Sequence, residues 1–173
     1  DLIQLGDYVD ACKMYTKIAQ LYQNGEFENK WVVDVMNKAL KYAKESGDAT
    51  ALNEVYITFG DIYSLQNEYD KSIEYYDKVL KNEIDKNTIN LISTTLTKKA
   101  STLIDVKEYD WALALIDSSL YMCIREFNDS LQVINYSLKA NIYDSIDDFE
   151  SAKKYYMQSA KLAYSIDDFT VCG

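Results

Sequence analysis

The chain repeats one pattern of residues every 40 positions. An aromatic residue followed by an acidic one recurs at Tyr69-Asp70, Tyr109-Asp110 and Phe149-Glu150. A small residue comes three positions after each aromatic, at Ser72, Ala112 and Ala152. Upstream, another small residue recurs with the same period, at Gly60, Ala100 and Ala140. Since several residue types recur with the same 40-residue period, the pattern predicts an array of one structural repeat.

Each repeat reads as two amphipathic helices joined by a short polar turn. In the stretch from residue 56 to 80, one stripe of a first helix is predicted at Tyr56, Phe59, Gly60 and Tyr63. A second helix has its stripe at Tyr69, Ser72, Ile73, Tyr76, Val79 and Leu80. A polar turn of Gln66, Asn67 and Glu68 separates the two. The small Gly60 and Ser72 indicate where the two backbones approach most closely.

This spacing resembles the tetratricopeptide repeat. The matching residues are Tyr56, Phe59-Gly60, Tyr63, Ser72, Tyr76 and Val79, with Tyr69 at the aromatic position of the turn. Ser72 and Val79 replace the usual Ala, and the chain contains no Pro. The resemblance implies an all-α fold, a right-handed α-α superhelix of about four helical hairpins. Variants with a 40-residue period are similar to repeats of large bacterial regulators and sensor proteins.

The register assigns the boundaries of four repeats, at 7–47, 48–87, 88–127 and 128–167. Residues 1–6 would be the tail of a preceding helix and residues 168–173 the start of a following one. Side chains that accept hydrogen bonds from helix amides are expected to cap the first helices at Asp7, Asp48, Thr88, Asn128 and Asp168. In the first repeat the register slips by one residue. We expect helices of about 15 to 18 residues, and further repeats or another molecule covering the ends of the array.

The charge balance argues against several classes of partner. With 28 acidic and 18 basic residues the net charge is −10, so the long-range field repels nucleic acid and attracts basic partners. No run of about 20 apolar residues is present, so the sequence predicts no membrane span.

Residues for catalysis or for a cofactor are scarce. The chain has no His, and its five Gly residues are isolated, so no phosphate-binding loop is present. The pairs Asp147-Asp148 and Asp167-Asp168 could bind a metal or cap helices, and their predicted place at turns favours capping. Cys12, Cys123 and Cys172 form no disulfide framework and fit a reducing compartment. We therefore expect no enzyme activity, no cofactor and no metal.

The resemblance implies a ligand groove lined by the first helices. By register its residues are Thr16, Gln20, Gln23, Ile57, Asp61, Ser64, Thr97, Ser101, Ile104, Ser137, Asn141 and Asp144. These twelve positions are called the groove residues below. Family members that clamp a terminal carboxylate use Lys and Asn at fixed places, which here hold Thr16, Gln20, Thr58, Thr94 and Lys98. Only Lys98 fits, so the groove suits an extended peptide backbone or an apolar helix better than a carboxylate.

Two tryptophans, Trp31 and Trp111, share one register position at the start of a second helix, in the first and third repeats. Either they pack under long helices, or they form a contact on the convex face, where Trp concentrates binding energy. The leading functional prediction is a noncatalytic module that binds a protein or peptide, as the sensing or interaction part of a larger regulator. The alternative is a self-assembling scaffold whose copies join through the ends of the array or the Trp face.

Overall fold

The computed structural model describes the backbone of residues 8–23, 29–81 and 88–171, and the side chains of residues 8–21, 31–81 and 88–166. Throughout these ranges the regular structure is α-helical, without a strand. In chain order the helices are α1 (Tyr8–Gln23), α2 (Asn29–Ser46), α3 (Ala49–Leu65), α4 (Tyr69–Leu80), α5 (Ile89–Asp105), α6 (Tyr109–Arg125), α7 (Asp129–Ser145) and α8 (Phe149–Val171).

The helices pack as consecutive hairpins within two compact units, residues 1–82 and 83–173. In the N-terminal unit α1 packs on α2 and α3 on α4, and both α1 and α2 contact α3. In the C-terminal unit α5 packs on α6 and α7 on α8, and both α5 and α6 contact α7. This order of contacts confirms the predicted all-α fold of repeated hairpins.

Turns between the helices contain residues with positive φ. Asn67, Lys107 and Asp147 have φ of 60°, 64° and 61°, and they occupy the same register position in three successive hairpins. Between hairpins, Gly47 and Phe127 have φ of 68° and 55°. A residue in this left-handed conformation ends the ladder of helical hydrogen bonds, so the turns share the period of the sequence.

Two of the predicted caps form as expected. The Asp48 carboxylate accepts hydrogen bonds from the amides of Thr50 and Ala51 at 2.8 and 3.0 Å. The side chain of Asn128 accepts from the amide of Leu131 at 3.1 Å. Thr88 lies at the cap position of α5, but its side chain makes no capping hydrogen bond. Asp7 lies outside the described residues.

Asp168 does not start a new helix, because α8 continues through it to Val171. The predicted turn at Asp167-Asp168 is therefore not observed. Acidic residues are only mildly unfavourable inside a helix, and neither residue leaves the helical conformation as Gly47 and Phe127 do. As a result α8 is 23 residues long, whereas α4 has only 12, and both fall outside the expected length.

Small residues lie where the paired helices approach, as predicted. Ser72, Ala100, Ala112 and Ala140 are fully buried. At Gly60 a side-chain carbon would lie 2.7 Å from two atoms of the Tyr76 ring, so only glycine leaves room for that ring. Larger side chains, such as Phe59 and Ile62 in one unit and Ile116 and Ile142 in the other, fill the two cores.

Tyrosines stack along the sides of the hairpins. In the second hairpin the Tyr75 ring lies 4.6 Å from Phe59 and 5.5 Å from Tyr63 between centroids. In the fourth hairpin Tyr143 and Tyr155, which are equivalent in register to Tyr63 and Tyr75, stack at 5.4 Å. These contacts give the abundant tyrosines a structural role.

Candidate functional site

The first helices of neighbouring hairpins lie side by side, as the predicted groove requires. In the N-terminal unit the amide of Gln20 on α1 donates to the hydroxyl of Thr58 on α3 at 3.4 Å. In the C-terminal unit the hydroxyl of Thr97 on α5 donates to the amide oxygen of Asn135 on α7 at 3.0 Å. Each unit therefore brings the first helices of its two hairpins together.

Most groove residues of the N-terminal unit have accessible side chains. Gln20 is exposed, and half-buried side chains are found at Ile57, Asp61 and Ser64 on α3. Thr16 is buried, and its hydroxyl donates to the carbonyl oxygen of Cys12 at 2.9 Å, so the expectation that it lines an accessible groove is wrong. The side chain of Gln23 lies outside the described residues.

The C-terminal unit repeats this pattern. Ser101, Ile104 and Ser137 are half-buried, and Asn141 and Asp144 are exposed. Thr97 is buried between helices and forms hydrogen bonds within the protein, so it too does not line an accessible groove. The reason is the same as for Thr16: a hydroxyl deep between helices is satisfied by neighbouring protein groups.

Tyrosines of the second helices hold two groove residues in place. The Tyr76 hydroxyl on α4 donates to the Asp61 carboxylate at 2.7 Å. The Tyr156 hydroxyl on α8 donates to the amide oxygen of Asn141 at 2.6 Å. The two pairs have the same separation along the chain and occupy equivalent register positions in the second and fourth hairpins. The sequence reasoning missed this role for the tyrosines, although the shared register of the two pairs was a usable signal.

Hydroxyl groups, including those of two groove residues, join the first and second helices of the C-terminal unit. Thr97 and Ser119 share a hydrogen bond of 2.9 Å. At the equivalent positions of the next hairpin, Ser137 and Ser159 share one of 2.8 Å. The amide nitrogen of Asn135 adds a 2.9 Å bond to Ser119. A buried network of this kind fixes helix positions because an unsatisfied member would cost about 1 to 3 kcal/mol.

One ion pair joins the two hairpins of the C-terminal unit. The Lys139 ammonium on α7 lies 2.5 Å from the Asp117 carboxylate on α6, with the lysine side chain largely buried. Burial lowers the pKa of Lys139, but the hydrogen bond and charge of Asp117 outweigh this, so the pKa is raised overall. Lys139 therefore stays charged and acts as a structural contact between α6 and α7.

Trp31 and Trp111 are both exposed. The alternative in which both pack under long helices is therefore wrong. Their indole rings occupy equivalent places near the start of α2 and α6. A role for this position in a partner contact stays a prediction.

In the first acidic pair, the side chain of Asp148 has a structural role. The Asp148 carboxylate accepts from the Ser151 amide at 3.2 Å at the start of α8, which confirms capping. Hydrogen bonds from Ser151 hold the pKa of Asp148 below its usual value. In the ranges with described side chains, no three Cys, Asp or Glu residues are grouped to hold a metal.

The cysteines with described side chains are buried free thiols. Burial raises the pKa of both Cys12 and Cys123. A raised pKa keeps the thiol protonated and unreactive. Cys172 lies outside the described residues. Of the helices described, none is both long and apolar enough to cross a membrane.

Paired helices, small residues at their closest approach and a 40-residue period define a helical-hairpin repeat protein of the tetratricopeptide type. A tetratricopeptide repeat family model matches residues 135–165. The model of the family described as soluble NSF attachment protein, SNAP, matches residues 2–95, which is more than half of the chain. The chain belongs to this family. Among curated proteins, no sequence matches it.

Solved structures share the fold at low sequence identity. A signal transduction ATPase with numerous domains (STAND) from Pyrococcus horikoshii, which has a tetratricopeptide repeat sensor, matches with a TM-score of 0.71 and 16% identity. The match covers 96% of this chain and 26% of that protein, so the chain spans about a quarter of its length. BtubC (BKLC) from P. vanneervenii matches with a TM-score of 0.63 and 14% identity, over 92% of this chain and 82% of that one.

Proposed function

We propose that the chain is a noncatalytic module in which the first helices of each unit form a binding surface for a segment of another protein. The carrying observation is the pair of tyrosine hydrogen bonds that fix the Asp61 and Asn141 side chains on these helices. A side chain already held in one orientation loses little conformational entropy when a ligand binds. Preorganised polar groups at a repeated position are what a binding surface needs.

The chemistry of the groove residues favours a peptide backbone with basic side chains. Tyr156 occupies the amide oxygen of Asn141, so the amide nitrogen of Asn141 is the atom that donates to a ligand carbonyl. Ser101 and Ser137 add hydroxyl groups in the same unit. Asp61 and Asp144 supply negative charge, and the net charge of −10 steers basic segments toward the chain.

The comparisons support a protein partner within a larger assembly. The STAND protein uses its tetratricopeptide repeats as a sensor, and the family's own description names an attachment protein for NSF. The chain spans only about a quarter of the STAND protein. We infer that it is the sensing or interaction part of a larger regulatory protein.

A peptide selection tests the proposed groove. Random peptides displayed on phage are selected on the purified chain, and the affinity of synthetic copies is measured by fluorescence anisotropy. The variant Ser101→Arg/Asn141→Arg places two long cations among the groove residues of α5 and α7. We expect it to weaken the selected basic peptides at least about tenfold, which corresponds to about 1.4 kcal/mol.

The matched control is Ser118→Arg/Ser130→Arg, which adds the same charge at two exposed serines of the same unit outside the groove. It is expected to leave the affinities unchanged. If every selected peptide bound wild type and the groove variant with equal affinity, the first helices would not be the binding surface. Equal weakening by both variants would show a nonspecific charge effect and would also reject the proposal.

A further inference from the structure

The turns inside the two hairpins of the C-terminal unit expose apolar side chains. Val106 follows α5 and Ile146 follows α7 at the same register position, and Trp111 lies in the first turn of α6. Their side chains are 37%, 49% and 68% exposed. These three residues are called the turn surface below. In the second hairpin the polar Gln66 and Lys71 stand at the positions of Val106 and Trp111, so the repeat itself does not require apolar residues there.

The exposure of Val106 and Trp111 does not come from a missing neighbour. Both α5 and α7 pack on α6, and the two side chains are exposed with these helices in place. The hairpin of α7 and α8 lies beside the turn that contains Val106, and it does not cover this turn. Since each hairpin of a repeat array contacts only its neighbours, these turns stay accessible in an array of any length.

The two turns lie at one edge of the unit, because α5 and α7 run side by side in the same direction. Asn90 and Thr97 of α5 form hydrogen bonds with Asn128 and Asn135 of α7, and each pair is separated by 38 residues. Packed helices lie about 8 to 10 Å apart, so the two turns have about this spacing. It matches the rise of about 10 Å over seven residues of a helix.

The backbone amides in the middle of the two turns are already hydrogen-bonded. Those of residues 106, 107 and 108 donate to carbonyl oxygens of α5, and those of residues 146, 147 and 148 donate to carbonyl oxygens of α7. An extended ligand would need such groups for main-chain hydrogen bonds, whereas a helix satisfies its own backbone and docks through its side chains. The turn surface therefore suits a helix with apolar residues two turns apart.

The surroundings of the turn surface are strongly acidic. Residues 105–111 and 145–151 contain six acidic side chains and one basic one, which gives a net charge of −5, half of the −10 of the whole chain. Five of the six acidic residues are exposed, namely Asp105, Glu108, Asp110, Asp147 and Glu150. Carboxylates around an apolar centre attract Lys and Arg and disfavour an acidic partner.

We propose that the turn surface binds a basic amphipathic helix of a partner protein. The apolar stripe of this helix lies on Val106 and Ile146 and beside the indole of Trp111, a residue type in which binding energy concentrates. Its Lys and Arg residues lie among the surrounding carboxylates. The turn surface shares no residue with the groove residues, so this contact is independent of the ligand proposed for the groove.

A library of helical peptides displayed on phage tests the proposal. The peptides have about 18 residues, with Lys or Gln on the polar face and Leu, Ile, Met or Phe on the apolar stripe. Helices selected on the purified chain are synthesised, and their affinity is measured by fluorescence anisotropy. The variant Val106→Gln/Trp111→Ser has the residues that Gln66 and Ser151 provide in other hairpins, so it should fold normally. We expect it to weaken binding at least about tenfold.

The matched control is Tyr121→Ser/Ile124→Gln, which removes an exposed aromatic and an exposed aliphatic side chain near the opposite end of α6. It should bind the selected helices as wild type does. Exchanging the Lys residues of a selected helix for Gln should weaken its binding, because the carboxylates then lose their charged partners.

The fluorescence of Trp111 locates the bound helix. In a Trp31→Phe background Trp111 is the only tryptophan, and its emission should shift to shorter wavelengths because the helix covers an exposed indole. A peptide bound only along the groove residues would leave this emission unchanged. The proposal is overturned if the library yields no binder, if the turn-surface and control variants bind with equal affinity, or if saturating helix leaves the Trp111 emission unchanged.

Discussion

Replacing Gly60 by alanine is expected to destabilise the N-terminal unit, although alanine is the better helix former. The added carbon would lie 2.7 Å from Cδ1 and Cζ of the Tyr76 ring and closer still to Cε1. Tyr76 is fully buried, and its hydroxyl is held by Asp61. The ring therefore cannot move without disturbing both its packing and this hydrogen bond.

The expected change in the free energy of unfolding is the sum of three contributions, of which one is favourable and two are unfavourable. Glycine in a helix costs about 0.5 to 1 kcal/mol relative to alanine, which favours the substitution. Overpacking of a core costs about 1 to 3 kcal/mol, and loss of the Tyr76 hydrogen bond to Asp61 about 1 kcal/mol more. The net expectation is a loss of about 2 kcal/mol in the free energy of unfolding.

Urea unfolding followed by the fluorescence of Trp31 measures this loss. A Trp111→Phe background leaves Trp31 as the only tryptophan, so the signal reports on the N-terminal unit alone. For a unit of this size a loss of about 2 kcal/mol lowers the urea midpoint by about 1 M. The control is Ala100→Gly, at the equivalent position beside the smaller Ile116, measured in a Trp31→Phe background so that Trp111 reports on the C-terminal unit. It should destabilise that unit by about 1 kcal/mol.

A double variant tests the cause. Gly60→Ala/Tyr76→Ile recreates the Ala100 and Ile116 pair of the third hairpin, so it should be more stable than the sum of the single variants predicts, by about 1 to 2 kcal/mol. A Gly60→Ala variant as stable as wild type would refute the reasoning, because helix propensity would then outweigh the contact with Tyr76. If the double variant were only as stable as the sum of the two single effects predicts, the reasoning would be refuted as well.

Two further predictions concern strain and burial. Phe127 has a φ of 55° and is 87% exposed, so Phe127→Gly should stabilise the C-terminal unit by about 0.5 to 1 kcal/mol in urea unfolding, whereas Phe127→Ala should give no gain. Equal midpoints for the two variants would contradict the strain argument. Burial raises the pKa of the Cys12 and Cys123 thiols, so in a Cys172→Ser background, which leaves only these two thiols, aromatic disulfide reagents at about pH 8 should modify them only in urea. Rapid modification of this folded variant would contradict the argument. The thiols' contribution to stability is full below the unfolded thiol pKa of about 8.5 and is lost as pH rises through their raised pKa. The fall in urea midpoint toward about pH 10 should therefore be smaller when Cys12 and Cys123 are both replaced by Ala.

The repeated hairpins could be predicted because they depend on local sequence. A stripe of apolar residues with the spacing of helical turns fixes which face of a helix is buried, and Gly60 or Ala100 fixes where two helices touch. Asp48 and Asn128 cap helices with bonds to amides only two or three residues away. None of these features needs information from a distant part of the chain.

The accessibility of the groove residues could not be predicted in the same way, because it depends on contacts with residues far away in the sequence. Thr97 and Ser137 share one register position, yet Thr97 is buried and Ser137 is half-buried. The difference arises because Asn135, far along the chain, reaches Thr97 from the neighbouring first helix. The support of Asn141 by Tyr156 also crosses from a second helix to a first one. Register assigns a residue to a face, but the neighbouring helix decides whether that face is open.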